Sequence, residues 1–526
     1  MSDSGTSRVI TEPLGGSPLS LAVQTGRLPA EIRLRRPSSP QEWSEHASRV
    51  RSGVDDGWLE RIRAALTPGG AAAKRLNQVA GERGIVVTTG QQPGLFGGPV
   101  YTLSKALSAL ALADSLEKQL GVPVAPVFWA ATDDADFLEA KSASVADADG
   151  LHELSLAGSP PPGTPMSDVP LGNVGPLVDQ LLKASGSAAH GAFFELARAA
   201  FTGERTLGDA YVRLLRGLLE PLGIAVLDAS HPSSRDAARP VLLSALERAA
   251  DVTRATAECA AAIRRAGFEP QVEDDRGLAL VFVREKGIKR RISISEAKAF
   301  LGDAVRADLS PNVLLRPVVE RTILPTAAYV AGPGELAYFT QANAVARALG
   351  RDDVVGVPRW SCTVIEPFVE RALRRLGVQH HELKDLHGLE RRLATAALPE
   401  SVAAAWKRLL EQVSGAVREV GAAVDATALM PPTVIEGLER SLSHRLSRAE
   451  RRLIAAAKRR DEQVRRDLEV ASAGLYPLGN RQERVLNYIP MLARAGNPLL
   501  DAMRAAAAVH ATSLIGTERQ APAVAR

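Results

Sequence analysis

Three short stretches carry side chains able to do chemistry. In "TDDADF", Asp133, Asp134 and Asp136 follow an apolar run. Carboxylates so placed bind an ammonium, a sugar hydroxyl or a metal, or take a proton as general base; their competing use is to cap a helix that starts just after them. In "TTGQQPGLFGGPVYTLSK", Thr89, Gly90, Gln91, Gln92, Gly94, Gly97 and Gly98 lead to Tyr101 and Lys105. Glycines between a strand and a helix let backbone N–H groups approach an anion, which the helix dipole favours, although turn geometry alone also selects glycine. In "GPGELAY", Gly332, Gly334, Glu335 and Tyr338 repeat the arrangement, and Arg359 with Ser361 follows at the next apolar run. Glu335 and Tyr338 suit a sugar or an amino acid. Lys105, about two turns into its helix, is either a cation of the site or a solvated lysine. Arg359 either clamps a carboxylate in two places or makes an ordinary ion pair.

These residues need a scaffold that brings strand ends together. "GIVVTTG" predicts a buried strand, "YTLSKALSALALADSLEKQLG" a helix closed by Gly121, and "VPVAPVFWAATDD" a second strand ending in the acids. Strand, turn, helix, strand is a βαβ unit of a parallel sheet covered on both faces. "GIAVLDASHP", "AAYVAGPGEL" and "DVVGVPRWSCTVI" supply further strands, so three glycine or acidic strand ends converge where open parallel sheets bind ligands. The expected fold class is α/β, a parallel-sheet core interrupted twice, plus a helical coiled-coil domain. The expected organisation is a helical lead-in over 1–80, a core over 81–370 interrupted at about 149–220 and 233–310, helices over 371–475, and a segment over 476–526 that packs back on the core. "VREKGIKR" predicts a hairpin turning at Lys286 and Gly287. Val402, Trp406, Leu409, Val413, Val417, Val420 and Val424 form one heptad stripe, answered by Ile435, Leu438, Leu442, Leu446, Ala449, Leu453, Ala457, Val464 and Leu468 with one gap of seven; two such stripes predict an antiparallel hairpin that packs on itself or on a second copy. The last ten residues are expected to fray.

With 526 residues the chain exceeds one compact core, so more than one domain is required. Its 64 basic and 60 acidic residues are interspersed, which argues against a nucleic-acid partner. No apolar run is long enough for a membrane span, and no secretory leader is evident. Two cysteines, Cys259 and Cys362, cannot build a disulfide framework and fit the cytoplasm. Cys362 has no fixed histidine neighbour in sequence and reads as a core residue. No metal site is expected.

Five stretches, "TGQQPGLFGGPVYTLSKALSALALA", "PVFWAATDDADF", "AGPGELAYF", "VPRWSCTVIEP" and "LGNRQERVLNYI", occur in order over nearly the whole chain. They resemble successive motifs of the BshC family, the cysteine-adding enzymes of bacillithiol biosynthesis. The resemblance implies a Rossmann-like core with two connecting-peptide insertions and a coiled coil that mediates a homodimer. It also implies a ligase reaction joining the carboxyl of L-cysteine to the amine of glucosaminyl-malate. Where that family usually reads Glu-Asp-His-Asp-Phe, this chain has Asp133-Asp134-Ala135-Asp136-Phe137, so the carboxylates must do without that histidine. Amide formation needs an activated carboxyl, and ATP is the natural source, although no adenylating His-Ile-Gly-His or Lys-Met-Ser-Lys-Ser signature is present. Two other readings stand beside the ligase: a diverged nucleotide- or sugar-phosphate-binding transferase, and a catalytically inactive dimeric binding protein.

Overall fold

A computed structural model describes residues 5–273, 277–303, 307–460 and 462–515; the expected fraying of the last ten residues lies outside these. The strands are β1 (Arg8–Thr11), β2 (Ile85–Gln91), β3 (Val124–Ala130), β4 (Ser142–Asp147), β5 (Gly150–Ser155), β6 (Ala225–Asp228), β7 (Leu278–Glu285), β8 (Ile288–Ser293), β9 (Asp308–Pro311), β10 (Thr326–Ala331), β11 (Gly356–Pro358) and β12 (Cys362–Ile365). Five of them form one parallel sheet in the order β11-β10-β2-β3-β6. This is a doubly wound Rossmann-like sheet, whose first strand lies in the middle.

The local sequence explains the centre of this sheet. β2 and β3 are buried almost throughout, as strands covered on both faces must be. They pair residue for residue from Ile85 opposite Val124 to Gln91 opposite Ala130, so their carboxyl ends are level. Between them runs the helix Val100–Leu120, apolar on nearly every face because it packs on both strands and on the helix Ile489–Ile515. Gly121 stops it in the left-handed conformation at φ 65°, its N–H donating to the Glu117 carbonyl.

The two interruptions take different forms. Between β3 and β6 come β4, β5 and the helices Gly175–Ala184, Ala192–Ala200 and Leu207–Leu219, the last of which packs on β6. Between β6 and β10 come two long helices and the sheet β8-β7-β9. The β7–β8 hairpin turns at Lys286 (φ 51°) and Gly287 (φ 82°), two positive angles that a tight two-residue hairpin loop requires. The lead-in departs from the all-helical expectation: β1 pairs antiparallel with β12, Arg8 opposite Ile365 through Thr11 opposite Cys362. No local pattern in four residues announces a strand whose partner lies at the far end of the core.

The chain divides into two units, one of residues 1–146, 152–366 and 481–526, the other of 147–151 and 367–480. The second unit contains the helices Glu400–Thr427 and Pro432–Arg460, which pack on each other as a coiled-coil hairpin. Within it Asp467 is nearly buried and pairs with Arg375, and Gly474 leaves room for the Val369 side chain. Among the described residues no helix is long and apolar enough to cross a membrane.

Candidate active site

The direction of winding reverses between β2 and β10, and a doubly wound sheet opens its ligand crevice at the carboxyl ends of that pair of strands. Gly90 and Gln91 end β2, Gly332 follows β10, and Lys105 reaches the same point from the helix above β2. Lys105 is 4% exposed, which settles that it is no solvated lysine. Its three ammonium protons meet three acceptors: the Gly90 carbonyl at 2.7 Å, Gln91 Oε1 at 3.0 Å and Glu335 Oε2 at 2.6 Å. Burial lowers its pKa while Glu335 opposes the fall. Burial alone would raise the Glu335 carboxyl, but Lys105 and Arg316 outweigh it and hold it below the usual range. Glu335 also accepts from Tyr329 Oη at 2.8 Å and from the Gly332 N–H at 2.7 Å.

Around this pair the polar groups are connected. Gln91 Nε2 donates to Tyr101 Oη at 3.2 Å, and burial pushes the Tyr101 hydroxyl up to about 12. Arg316 Nη2 donates to Tyr338 Oη at 2.9 Å, while its Nη1 lies 3.4 Å from Oε2 of the buried Glu320, whose carboxyl burial raises to about 7. Gly90 lets β2 lie close to β3, since a Cβ there would fall 2.8 Å from the Trp129 carbonyl oxygen, whereas Gly332 sits at the crevice, where a Cβ would lie 3.4 Å from Glu335 Oε2. Gly334 has open space before it, whereas Thr89 is spent inside the sheet, donating to the Val330 carbonyl at 2.8 Å.

The glycine turn is built otherwise than an anion cradle requires. Gly97, at φ 91°, has its open side filled by the protein: a Cβ there would lie 2.2 Å from Tyr488 Oη. Gly94 and Gly98 face each other, a Cβ on Gly94 falling 2.9 Å from the Gly98 Cα. The first helical N–H, that of Val100, donates to the Leu486 carbonyl at 2.9 Å. Asn487 Nδ2 then donates to the carbonyls of Phe96 at 2.8 Å and Gly98 at 2.9 Å. The returning segment thus occupies the side where an anion was expected. Gln92 keeps a buried Nε2 with no partner among the described residues.

Arg359 and Ser361 are likewise engaged. Both oxygens of Glu483 receive the Arg359 guanidinium at 2.8 Å, and Ser361 Oγ donates to Glu483 Oε1 at 2.8 Å. Arg359 does form the two-point clamp that its type suggested, but its carboxylate is the protein's own. The Cys362 N–H points at the same carboxylate, and burial raises the Cys362 thiol, which makes it a core residue.

The acids lie at the end of β3. Asp136 caps the short helix Phe137–Ala140, accepting from the Glu139 N–H at 3.1 Å. Asp134 Oδ1 accepts from the Asp136 N–H at 2.9 Å, and burial raises its carboxyl above the usual range. Asp133 faces Lys289, whose Nζ donates to its carbonyl at 2.7 Å and lies 3.5 Å from its Oδ2. Thr132 Oγ1 bonds Asp228, which ends the neighbouring β6. A carboxylate of raised proton affinity at a strand end is suited to act as a general base. Among the described residues no three of His, Cys, Asp and Glu gather as a metal-holding group. Arg316, Tyr329, Glu483, Asn487 and Lys289 escaped the sequence reading. Only "LGNRQERVLNYI" offered a signal for two of them, as polar residues in a segment expected to return to the core.

A doubly wound α/β sheet, here with the buried Lys105–Glu335 pair at its switch point and acids at the end of the neighbouring β3, defines a fold class whose ligand crevice opens at those strand ends. The particular family is shown by comparison. Residues 39–306 and 302–359 match the bacillithiol biosynthesis BshC N-terminal Rossmann-like domain, and residues 362–513 match the BshC C-terminal coiled-coil domain. The chain belongs to the BshC family. A protein of Solibacter usitatus named "Putative cysteine ligase BshC" is 31% identical over 82% of this chain and 84% of its own. Proteins of the same name are 30% identical in Koribacter versatilis, over 79% of this chain and 81% of theirs, and 31% identical in Salinibacter ruber, over 80% of both.

Proposed function

We propose that the chain is a carbon–nitrogen ligase joining the carboxyl of L-cysteine to the amine of glucosaminyl-malate, the last step of bacillithiol biosynthesis. The relatives' name, putative cysteine ligase BshC, supports a ligase reaction. The observation that carries the chemistry is Asp134, a carboxylate of burial-raised proton affinity at the β3 end. The amine arrives as an ammonium and must lose a proton before attack; Asp134 takes it, with Asp133 and Asp136 ordering the loop. The freed nitrogen forms a bond to the carbonyl carbon of cysteine, and the bond from that carbon to an activated oxygen breaks, its electron pair leaving with a phosphoryl-bearing group. ATP is the co-substrate proposed for that activation. Gln91, Gln92, Tyr101 and Tyr338 are the polar groups offered to the substrates, Glu335 holds Lys105 beside them, and Gly334 leaves open space.

The partner proposed for the helical hairpin is a second copy of the chain. Leu409, Val420 and Leu438 belong to the apolar stripes yet are 39%, 48% and 43% exposed, so the hairpin alone leaves its seam uncovered. Light scattering at twice the monomer mass is expected, and a monomer would refute it. ATP and cysteine as substrates place the reaction in the cytoplasm. Mass spectrometry of purified protein incubated with cysteine, glucosaminyl-malate and ATP should show the condensed amide. Its absence from folded protein, with cell extract also supplied, would favour the transferase reading that Ala135 invites.

A further inference from the structure

We propose that Lys289 is a positioning residue for the acidic loop: delivered by the β7–β8 hairpin, its ammonium fixes Asp133 and so holds the loop that carries Asp134. This rests on the reading of Asp134 as the base. The hairpin is remote in sequence and belongs to the β8-β7-β9 sheet, outside the parallel one. Nevertheless its residue 289 ends at the β3 loop. The Lys289 N–H donates to the Gly163 carbonyl at 2.9 Å, while Nζ donates to the Asp133 carbonyl at 2.7 Å. Gly163, at φ 86°, lets the strand come close, since a Cβ there would lie 2.9 Å from the Lys289 carbonyl oxygen.

Both interruptions of the core therefore meet on these acids. From the first, the Met166 N–H donates to the Asp134 carbonyl at 2.8 Å and the Ser167 N–H to the Thr132 carbonyl at 2.9 Å. From the second come Lys289 and Arg284, the latter paired with Asp168. The Lys289 side chain is 8% exposed and its Nζ stands 4.8 Å from the centre of the Phe282 ring, so the charge is held in place. The charged groups facing Asp134 are Asp133 and Asp136, which favour its protonated form, and Lys289, which favours the carboxylate. Lys289 is the cation of that set. Without it Asp134 keeps its proton to higher pH, and the fraction competent as a base falls.

The test compares pH profiles of kcat for amide formation in the parent, Lys289→Met and Lys289→Arg, beside melting temperatures. The methionine variant should move the acidic limb to higher pH and lower kcat at a fixed pH on that limb about tenfold for each unit of displacement, with KM little changed. The arginine variant should restore the limb. An unmoved limb in a folded methionine variant, or an equal displacement in both variants, would overturn the proposal. A parent that forms no amide would sink the ligase reading instead. Carboxyl carbon NMR titration of Asp134, assigned with Asp134→Asn, then decides: a rise in the midpoint on losing Lys289 supports the inference and no rise refutes it.

Discussion

Glu483 grips Arg359 through two contacts of 2.8 Å across 124 positions of sequence, with both side chains almost wholly buried. A guanidinium removed from water at a strand end needs such a partner, since an unpaired buried charge is costly. The carboxylate's remaining capacity goes to Ser361 Oγ and the Cys362 N–H. The pair fastens the returning segment 481–488 to the last core strands, and that segment in turn closes the glycine turn.

Removing one member should cost far more than removing both. Glu483→Ala is expected to destabilise the first unit by about 3–5 kcal/mol, because it strands Arg359. The joint change Arg359→Met with Glu483→Leu should cost less than that single change. Chemical denaturation of the three proteins measures it, and additive losses would contradict the pairing.

Gly97 offers a second check on the same segment. Gly97→Ala forces a Cβ into Tyr488 at a positive φ, so a loss of about 3 kcal/mol is expected. Tyr488→Phe removes a hydroxyl that has no partner among the described residues, and should by itself change stability by less than about 0.5 kcal/mol. Combined, the phenylalanine should recover part of the alanine's cost. No recovery would mean that backbone strain alone selects the glycine.

Glu320 should make stability depend on pH. Burial raises its carboxyl to about 7 in the folded protein, above its ordinary value of 4.5. Its contribution to stability is therefore full below pH 4.5 and is lost as pH rises through 7. Relative to the parent, Glu320→Gln should gain stability across that window, by up to about 3 kcal/mol, and hold a constant difference above it. Melting temperatures of both proteins from about pH 3.5 to 8, one unit beyond each end of the window, check this, and a difference independent of pH would contradict it.

The central sheet was legible because its signals are local. An apolar run such as "GIVVTTG" and a stop such as Gly121 need no distant information, and the hairpin turn at Lys286 and Gly287 follows from two residues. The site was legible only as residue types. Lys105 could be read as solvated or buried, and the choice depended on Glu335, which arrives from another strand end. Gly97 looked like a ligand contact because Tyr488, which explains it, comes from a segment folded back across the core. Arg359 looked free to clamp a substrate because nothing near it in sequence names Glu483. β1 was missed for the same reason, since four residues form a strand only where β12 provides an edge.

The ligase account turns on the Asp134 carboxylate, and the most direct measurement is the rate of amide formation from cysteine, glucosaminyl-malate and ATP by the parent and by Asp134→Asn. The asparagine keeps the shape of the side chain and can accept from the Asp136 N–H, so the fold and the melting temperature should be retained. If Asp134 takes the ammonium proton, kcat should fall on the order of 10²- to 10⁴-fold at neutral pH with KM largely unchanged. An active parent with an Asp134→Asn rate within about twofold of it would contradict the assignment and require the proton acceptor to lie elsewhere.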